Sequence, residues 1–133
     1  MEYRIELPWP DKHLWPNKKS STHWRKLGPI AKSAKTLAFY ETKAAKISRL
    51  NWSHVDAFFV FHPPTLRKYD DDGALGACKH YRDGIADAIG IDDALWRCTP
   101  RKGVKRAGGC VVVTLSPWAG DLVPYNGGDD FLI

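Results

Sequence analysis

Tyr69-Asp70-Asp71-Asp72 sets three carboxylates side by side where a strand gives way to a helix. Adjacent carboxylates repel one another, and a helix N-terminus offsets part of that repulsion through its dipole and free N–H groups. One aspartate there would serve as a cap, whereas three ask for cations. Alternate carboxylates such as Asp70 and Asp72, on an extended approach to a helix, can point toward one divalent ion. Hard oxygen ligands favour Mg2+ or Mn2+, which keep waters for chemistry. A solvated acidic cap is the other reading of the same residues.

At ~100° per residue, positions 72, 76, 79 and 83 fall on one side of the helix that follows. That side carries Asp72, Gly76, Lys79 and Asp83. Glycine is a poor helix former, so Gly76 suggests a close approach to the backbone. Lys79 is then placed to reach a phosphate oxygen and to stabilise charge in a transition state. Alternatively, Lys79 and Asp83 make a surface ion pair one turn apart, worth a few tenths of a kcal/mol. A third acidic element, Asp92-Asp93, follows Gly90. A continuous helix over 72–89 would be roughly 25 Å long, which separates Asp93 from Asp70. For the two to share an ion, the chain doubles back, the helix is broken or shorter, or a second copy supplies Asp93.

The elements that position these residues follow from periodicity and punctuation. Tyr3, Ile5 and Leu7 alternate with Arg4 and Glu6, which predicts a strand over 3–7 ended by Pro8 and Pro10. A basic surface loop is expected over 11–22. Pro29 suits the first position of a helix reaching about position 49, burying Ile30, Leu37, Tyr40, Ala44 and Ile47. The run 54–61 is apolar on both faces and reads as a central strand covered on both sides. Asp72 is the expected N-cap of the acidic helix, and Gly90 its C-terminal residue. Positions 95–99 and 109–115 read as an antiparallel pair joined by a basic loop. The result is an α+β fold: one domain over 1–116, with a mixed sheet and two main helices, then a weakly ordered acidic tail over 117–133.

The net charge of +5 is unevenly spread. Basic residues dominate between positions 4 and 49 and again between 97 and 106, whereas seven aspartates lie between 70 and 93. Basic flanks around an acidic centre suit a protein that grips a polyanion and holds cations at one place on it. A solvated mosaic surface is the alternative. Candidate DNA contacts are Lys18, Lys19, Trp24, Arg25, Lys26, Arg67, Lys68, Arg101, Lys102, Lys105 and Arg106. Trp24 either stacks on an unpaired base or packs on the protein. Cys78, Cys98 and Cys110 lack zinc or disulfide spacing and are expected as reduced, mostly buried thiols. No apolar run approaches the ~18 residues of a membrane span, and the N-terminus is unlike a signal peptide. A cytoplasmic protein, bacterial or in a phage-infected host, is expected.

The series Asp70, Asp71, Asp72, Lys79, Asp83-Gly84, Gly90, Asp92, Asp93 resembles the signature of the RusA-like Holliday junction resolvases. Ile5-Glu6-Leu7-Pro8-Trp9-Pro10 is similar to that family's N-terminal strand and corner. The resemblance spans about positions 3 to 115. It implies a homodimer that binds four-way junctions and makes paired, Mg2+-dependent nicks, with Mn2+ as a substitute. It further implies Asp70, Asp72 and Asp93 as metal-binding catalytic carboxylates and Lys79 as the essential lysine, with Asp71, Asp92 and Asp83 in support. Gly73 stands where the family usually has asparagine. A branched-DNA-binding protein that does not cut, or a metal-dependent flap or fork nuclease, are the rival functions.

Overall fold

Alternation of apolar and polar residues builds the sheet. Ile5 and Leu7 are buried and Arg4 and Glu6 exposed along β1 (Tyr3–Pro8), while Val55, Ala57, Phe59 and Phe61 line the buried face of β2 (His54–His62). The structure, a computed structural model, describes residues 2–19 and 21–119. Among these residues four strands form one mixed sheet in the order β1, β4, β2, β3, where β3 spans Trp96–Lys102 and β4 spans Cys110–Trp118. With α1 (Pro16–Lys19), α2 (Trp24–Ala44), α3 (Asp71–Ala77) and α4 (Lys79–Ile89), the fold is α+β, as the patterning predicts. Val113 lies between Ile5 and Phe59, and Val111 between Leu7 and Phe61, so an apolar row crosses three strands. A slip of one residue would turn that whole row to the other face, which holds the register.

The expected antiparallel pair of the last two strands does not form. β4 inserts between β1 and β2, antiparallel to both, and β3 lies parallel to β2 on its other side. Two local features account for this. Val111, Val112 and Val113 are all buried, which suits a strand flanked on both sides. Pro100 has no N–H to donate, which confines β3 to an edge. A parallel neighbour then needs a crossover, and α3 with α4 supplies it.

β2 is covered on one face only. Phe58 and Val60 are half-buried on the outer face, where the Arg101 guanidinium lies 4.5 Å from the Phe58 ring centre. The segment read as a loop over 11–22 contains a 3-10 turn, Lys12–Leu14, and the single turn α1, with Leu14 buried. β4 runs on to Trp118, past the boundary expected at 116; of the acidic tail expected over 117–133, positions 120–133 lie outside the described residues.

α2 starts five residues before Pro29 and ends earlier than expected. The His23 ring accepts from the Arg25 N–H at 3.1 Å, which caps the helix start. Gly28 has no side chain to clash with the proline that follows it, so the helix passes through Pro29. At the other end Lys46 adopts φ 65°, and the Ile47 N–H reaches back to the Thr42 carbonyl at 3.2 Å, closing a Schellman turn. The buried face of α2 is Ala34, Ala38 and Thr42 rather than the larger residues; Tyr40 is 64% exposed, Ala44 is exposed, and Ile47 is buried beyond the helix. The reason is the crossing with α4, where a Cβ on Gly84 would collide with the Lys35 carbonyl oxygen. Small residues let the two backbones touch, and a pattern of large side chains does not reveal them. No helix among the described residues is long and apolar enough to cross a membrane.

Candidate nucleic-acid interface

The acidic helix is broken. α3 and α4 meet at Cys78 (φ −94°, ψ 9°), which resolves one of the alternatives open at positions 72–89. Its N-cap is Asp70, not Asp72: the Asp70 Oδ2 accepts from the Gly73 N–H at 3.0 Å. Gly90 ends α4 in the left-handed conformation expected of it (φ 75°). The three adjacent aspartates then diverge. Asp71 Oδ1 accepts from Lys102 Nζ at 2.8 Å, and that hydrogen bond holds the Lys102 ammonium above its ordinary value. Asp72 faces a depression of about 640 Å³ lined also by Pro16, Lys19, Gly76, Lys79 and Arg82.

That depression explains Gly76: a Cβ there would sit 3.1 Å from Pro16 Cγ, so the close approach is made by α1. Burial, with Lys79 beside it, holds the Lys19 ammonium below its ordinary value. Asp83 lies 3.9 Å from His80 Nδ1, and burial followed by Lys19 holds the His80 ring below the ordinary histidine value. Asp92 caps the 3-10 turn Asp93–Leu95 by accepting from the Ala94 N–H at 2.9 Å. Asp93 Oδ2 lies 3.2 Å from Arg82 Nε, an ion-pair distance at an angle that makes no hydrogen bond. Arg82 therefore reaches from the Asp72 depression to Asp93, a role the sequence pattern did not signal.

A hard divalent cation needs several carboxylate oxygens turned to one point. Among the described residues, no group of three or more His, Cys, Asp or Glu side chains meets that condition. Asp70 is turned to its own cap, Asp71 to Lys102 and Asp93 to Arg82. As arranged within one chain, Asp70, Asp72 and Asp93 do not fit the ligand set that the resemblance implies. Gly73 is not obstructed: a Cβ there would be 3.5 Å from Asp70 Oδ2 and 3.7 Å from the Trp15 ring, both ordinary contacts.

Beside the acidic turn lies a second and larger depression, of about 850 Å³, that sequence reasoning missed. Trp9, Trp15 and Tyr69 form its aromatic wall, backed by the fully buried Phe61. Lys12, Lys18, Arg67 and Lys68 surround it, and Asp70 and Gly73 close the side toward α3. A signal was present: Trp9 and Trp15 are each followed by proline, which stiffens the backbone that presents the indole.

The remaining basic candidates scatter. Trp24 is 70% exposed, stacked on His23 and with Arg25 5.3 Å from its ring centre, so it does not pack into the protein; Lys26 is exposed beside it. Arg101 and Lys102 point to opposite faces of β3, the first onto Phe58 and the second onto Tyr69 and Asp71. Lys105 is exposed, and Arg106 donates to Cys110 Sγ at 3.5 Å. Their loop is tied down by the Arg106 N–H on the Pro63 carbonyl (3.0 Å) and by His62 Nδ1 at 2.9 Å from the Val104 carbonyl. Cys78 and Cys110 are buried and Cys98 half-buried; burial pushes the Cys78 and Cys98 thiols up, away from reactivity.

No protein-family model matches the chain. A protein of Xylella fastidiosa (strain Temecula1), described only as uncharacterized, is 38% identical over 116 residues, which cover 84% of this chain and 74% of that protein.

Proposed function

We propose that this chain, which belongs to the same family as the Xylella fastidiosa protein, binds branched DNA and acts on it as an endonuclease of the RusA type. The observation that carries the reading is the gathering of Lys12, Lys18, Arg67 and Lys68 round an aromatic depression that Asp70 borders, with Lys19, Lys79 and Asp72 in the depression next to it. Cations arrayed this way neutralise phosphates by releasing counterions, which gives affinity for DNA of any sequence. Selectivity for a branch then comes from shape, because a concave aromatic surface flanked by cations suits strands that leave the duplex more than a straight one.

Each side chain has a part in this reading. Lys18, Arg67 and Lys68 hold the backbone on the aromatic side, and Lys19 and Lys79 hold it on the acidic side. Lys79 and Asp72 line the same depression, so a phosphate held there meets a cation able to steady added negative charge. The resemblance adds Mg2+ or Mn2+ and a homodimer. The carboxylates of one chain, as arranged, do not fit that ion; cutting by that chemistry requires Asp70, Asp72 and Asp93 to converge, from one chain or from two copies. The resemblance also places the proposed action in the cytoplasm of a bacterial or phage-infected cell.

A second reading, binding without cutting, draws on the ion pairs that already engage Asp71 and Asp93. One assay separates the two: a labelled four-way junction beside matched linear duplex, in Mg2+, in Mn2+ and in EDTA, with Asp72→Asn as control. Paired nicks in the junction alone, lost in EDTA and in the variant, are expected. Tight junction binding with no product in either metal would sink the nuclease reading and leave the binding one. Equal affinity for junction and duplex would sink both.

A further inference from the structure

The aromatic depression has a shape that general phosphate binding does not require. The Trp9 and Trp15 rings lie 5.7 Å apart with planes only 37° from each other, and Tyr69 meets them at 81° and 78°. The two indoles are tilted toward each other and Tyr69 stands nearly perpendicular to both, so the cleft presents aromatic surface in two directions to a flat ligand. All three are half-buried, so each keeps part of its surface free. The volume of about 850 Å³ is that of a site for a ligand of nucleotide size. Four cations and a single carboxylate line it, and that carboxylate, Asp70, is engaged by the Gly73 N–H. The Tyr69 hydroxyl is shielded from solvent without a hydrogen-bond partner, and burial pushes it up. Such an orphan is uncommon in a folded protein and is satisfied if a ligand brings an acceptor.

We propose that this cleft takes one unpaired nucleobase of a DNA strand, stacked on Trp9 and Trp15, with the flanking phosphates on Lys12, Lys18, Arg67 and Lys68. Aromatic faces accept any base, and cations on the rim favour a base that is still part of a strand over an uncharged ring or a peptide. The inference rests on the branched-DNA reading, because base pairs at the point of strand exchange lack a continuous stack on one side and open more readily than those within a duplex. It deepens that reading by naming what is held at the branch.

The test uses the full chain and a duplex carrying one bulged 2-aminopurine, beside the same duplex with 2-aminopurine paired to thymine. Binding is followed by anisotropy and by 2-aminopurine emission. Stacking of one base on aromatic side chains predicts roughly tenfold tighter binding of the bulge, with quenched emission. Trp15→Leu should reduce that preference to about twofold, since most of the stacking surface goes with the indole. Tyr69→Phe, which changes one hydroxyl and keeps the ring packing, should reduce it about threefold through loss of a hydrogen bond. Equal binding of the two duplexes, or a preference unaltered in both variants at unchanged melting temperature, overturns the proposal. Free deoxyadenosine monophosphate competing as well as the bulged strand also overturns it, because the site would then be one for nucleotides. A four-way junction measured in parallel separates the two readings. Junction selectivity without bulge preference leaves the branched-DNA reading standing and removes this one. Bulge preference without junction selectivity removes the branched-DNA reading and leaves a cleft for an unpaired base with no tie to a branch.

Discussion

The two depressions that meet at α3 and Pro16 are built in different ways. The aromatic one is walled by rings that hold one another: Trp9 against Trp15, both against Tyr69, with Phe61 beneath. Its form is set by packing and exists before any ligand arrives. The acidic one is lined by Lys19, Lys79, Arg82 and Asp72, long or charged side chains whose positions depend on the charges around them. There the backbone fixes only where each side chain starts. Recognition can be preformed in a structure of this kind, while the arrangement of charge waits for the polyanion.

Salt gives the largest expected effect. If both depressions hold phosphates, junction affinity should fall about a thousandfold between 50 and 200 mM salt, as for a protein making several phosphate contacts. Lys68→Ala and Lys79→Ala should each lower the slope of log affinity against log salt by about one. A slope changed by only one of them would confine the contact to that depression.

Next in size is the support behind the acidic side. Gly84→Ala drives a Cβ into the Lys35 carbonyl and should cost about 2–3 kcal/mol in denaturant unfolding, as overpacking does. Because α4 carries Lys79 and Arg82 but does not line the aromatic cleft, the variant should lose junction affinity more than bulge preference. Equal losses would mean that the depressions are not independent.

Two tyrosines sharpen the contrast at about 1 kcal/mol, the net worth of a hydrogen bond. The Tyr81 hydroxyl donates to the Pro8 carbonyl at 2.9 Å, so Tyr81→Phe should destabilise by about that amount. The Tyr69 hydroxyl has no partner, so Tyr69→Phe should be neutral or slightly stabilising without DNA. A loss at Tyr69 matching that at Tyr81 would show that the hydroxyl is satisfied in the free protein.

The smallest effect is one of pH. His80 is held below its ordinary value by burial, then by Lys19, with Lys79 and Lys35 adding and Asp83 opposing. The unfolded ring therefore takes up a proton before the folded one. Stability contributed at neutral pH is lost as pH falls below the ordinary histidine range toward the lowered folded value. Melting temperature should fall with falling pH in that window, and His80→Gln should flatten the dependence. An unchanged slope would place the titration elsewhere.

Much of this molecule was legible residue by residue. The alternation of Tyr3, Ile5 and Leu7 and of Val55, Ala57, Phe59 and Phe61 marks the strand faces, and Gly90 marks the end of α4, because each is a property of a few adjacent residues. The bounds of α2 differ from those expected because the helix passes through Pro29 and closes at Lys46. Its buried stripe of Ala34, Ala38 and Thr42 is small where α2 crosses α4 at Gly84, which hydrophobicity does not signal. The candidate site was legible as types and spacing but not as geometry. Asp70, Asp71, Asp72, Lys79 and Asp93 are where the pattern places them in the chain, yet the carboxylates turn to separate partners.

By itself, then, the sequence determined the α+β character, the faces of β1, the inward row of β2 but not the exposure of its other face, the charge segregation and the residues worth testing. These rest on local sterics and periodicity, which act over one or two turns of helix or one strand. Only the tertiary structure decided that β4 enters between β1 and β2, that the acidic helix breaks at Cys78, and that Trp9 and Trp15 meet Tyr69 across the sheet exit. The strand insertion and the ring cluster are pairings between distant segments, selected by which surfaces bury best together, and no short window of residues contains both partners.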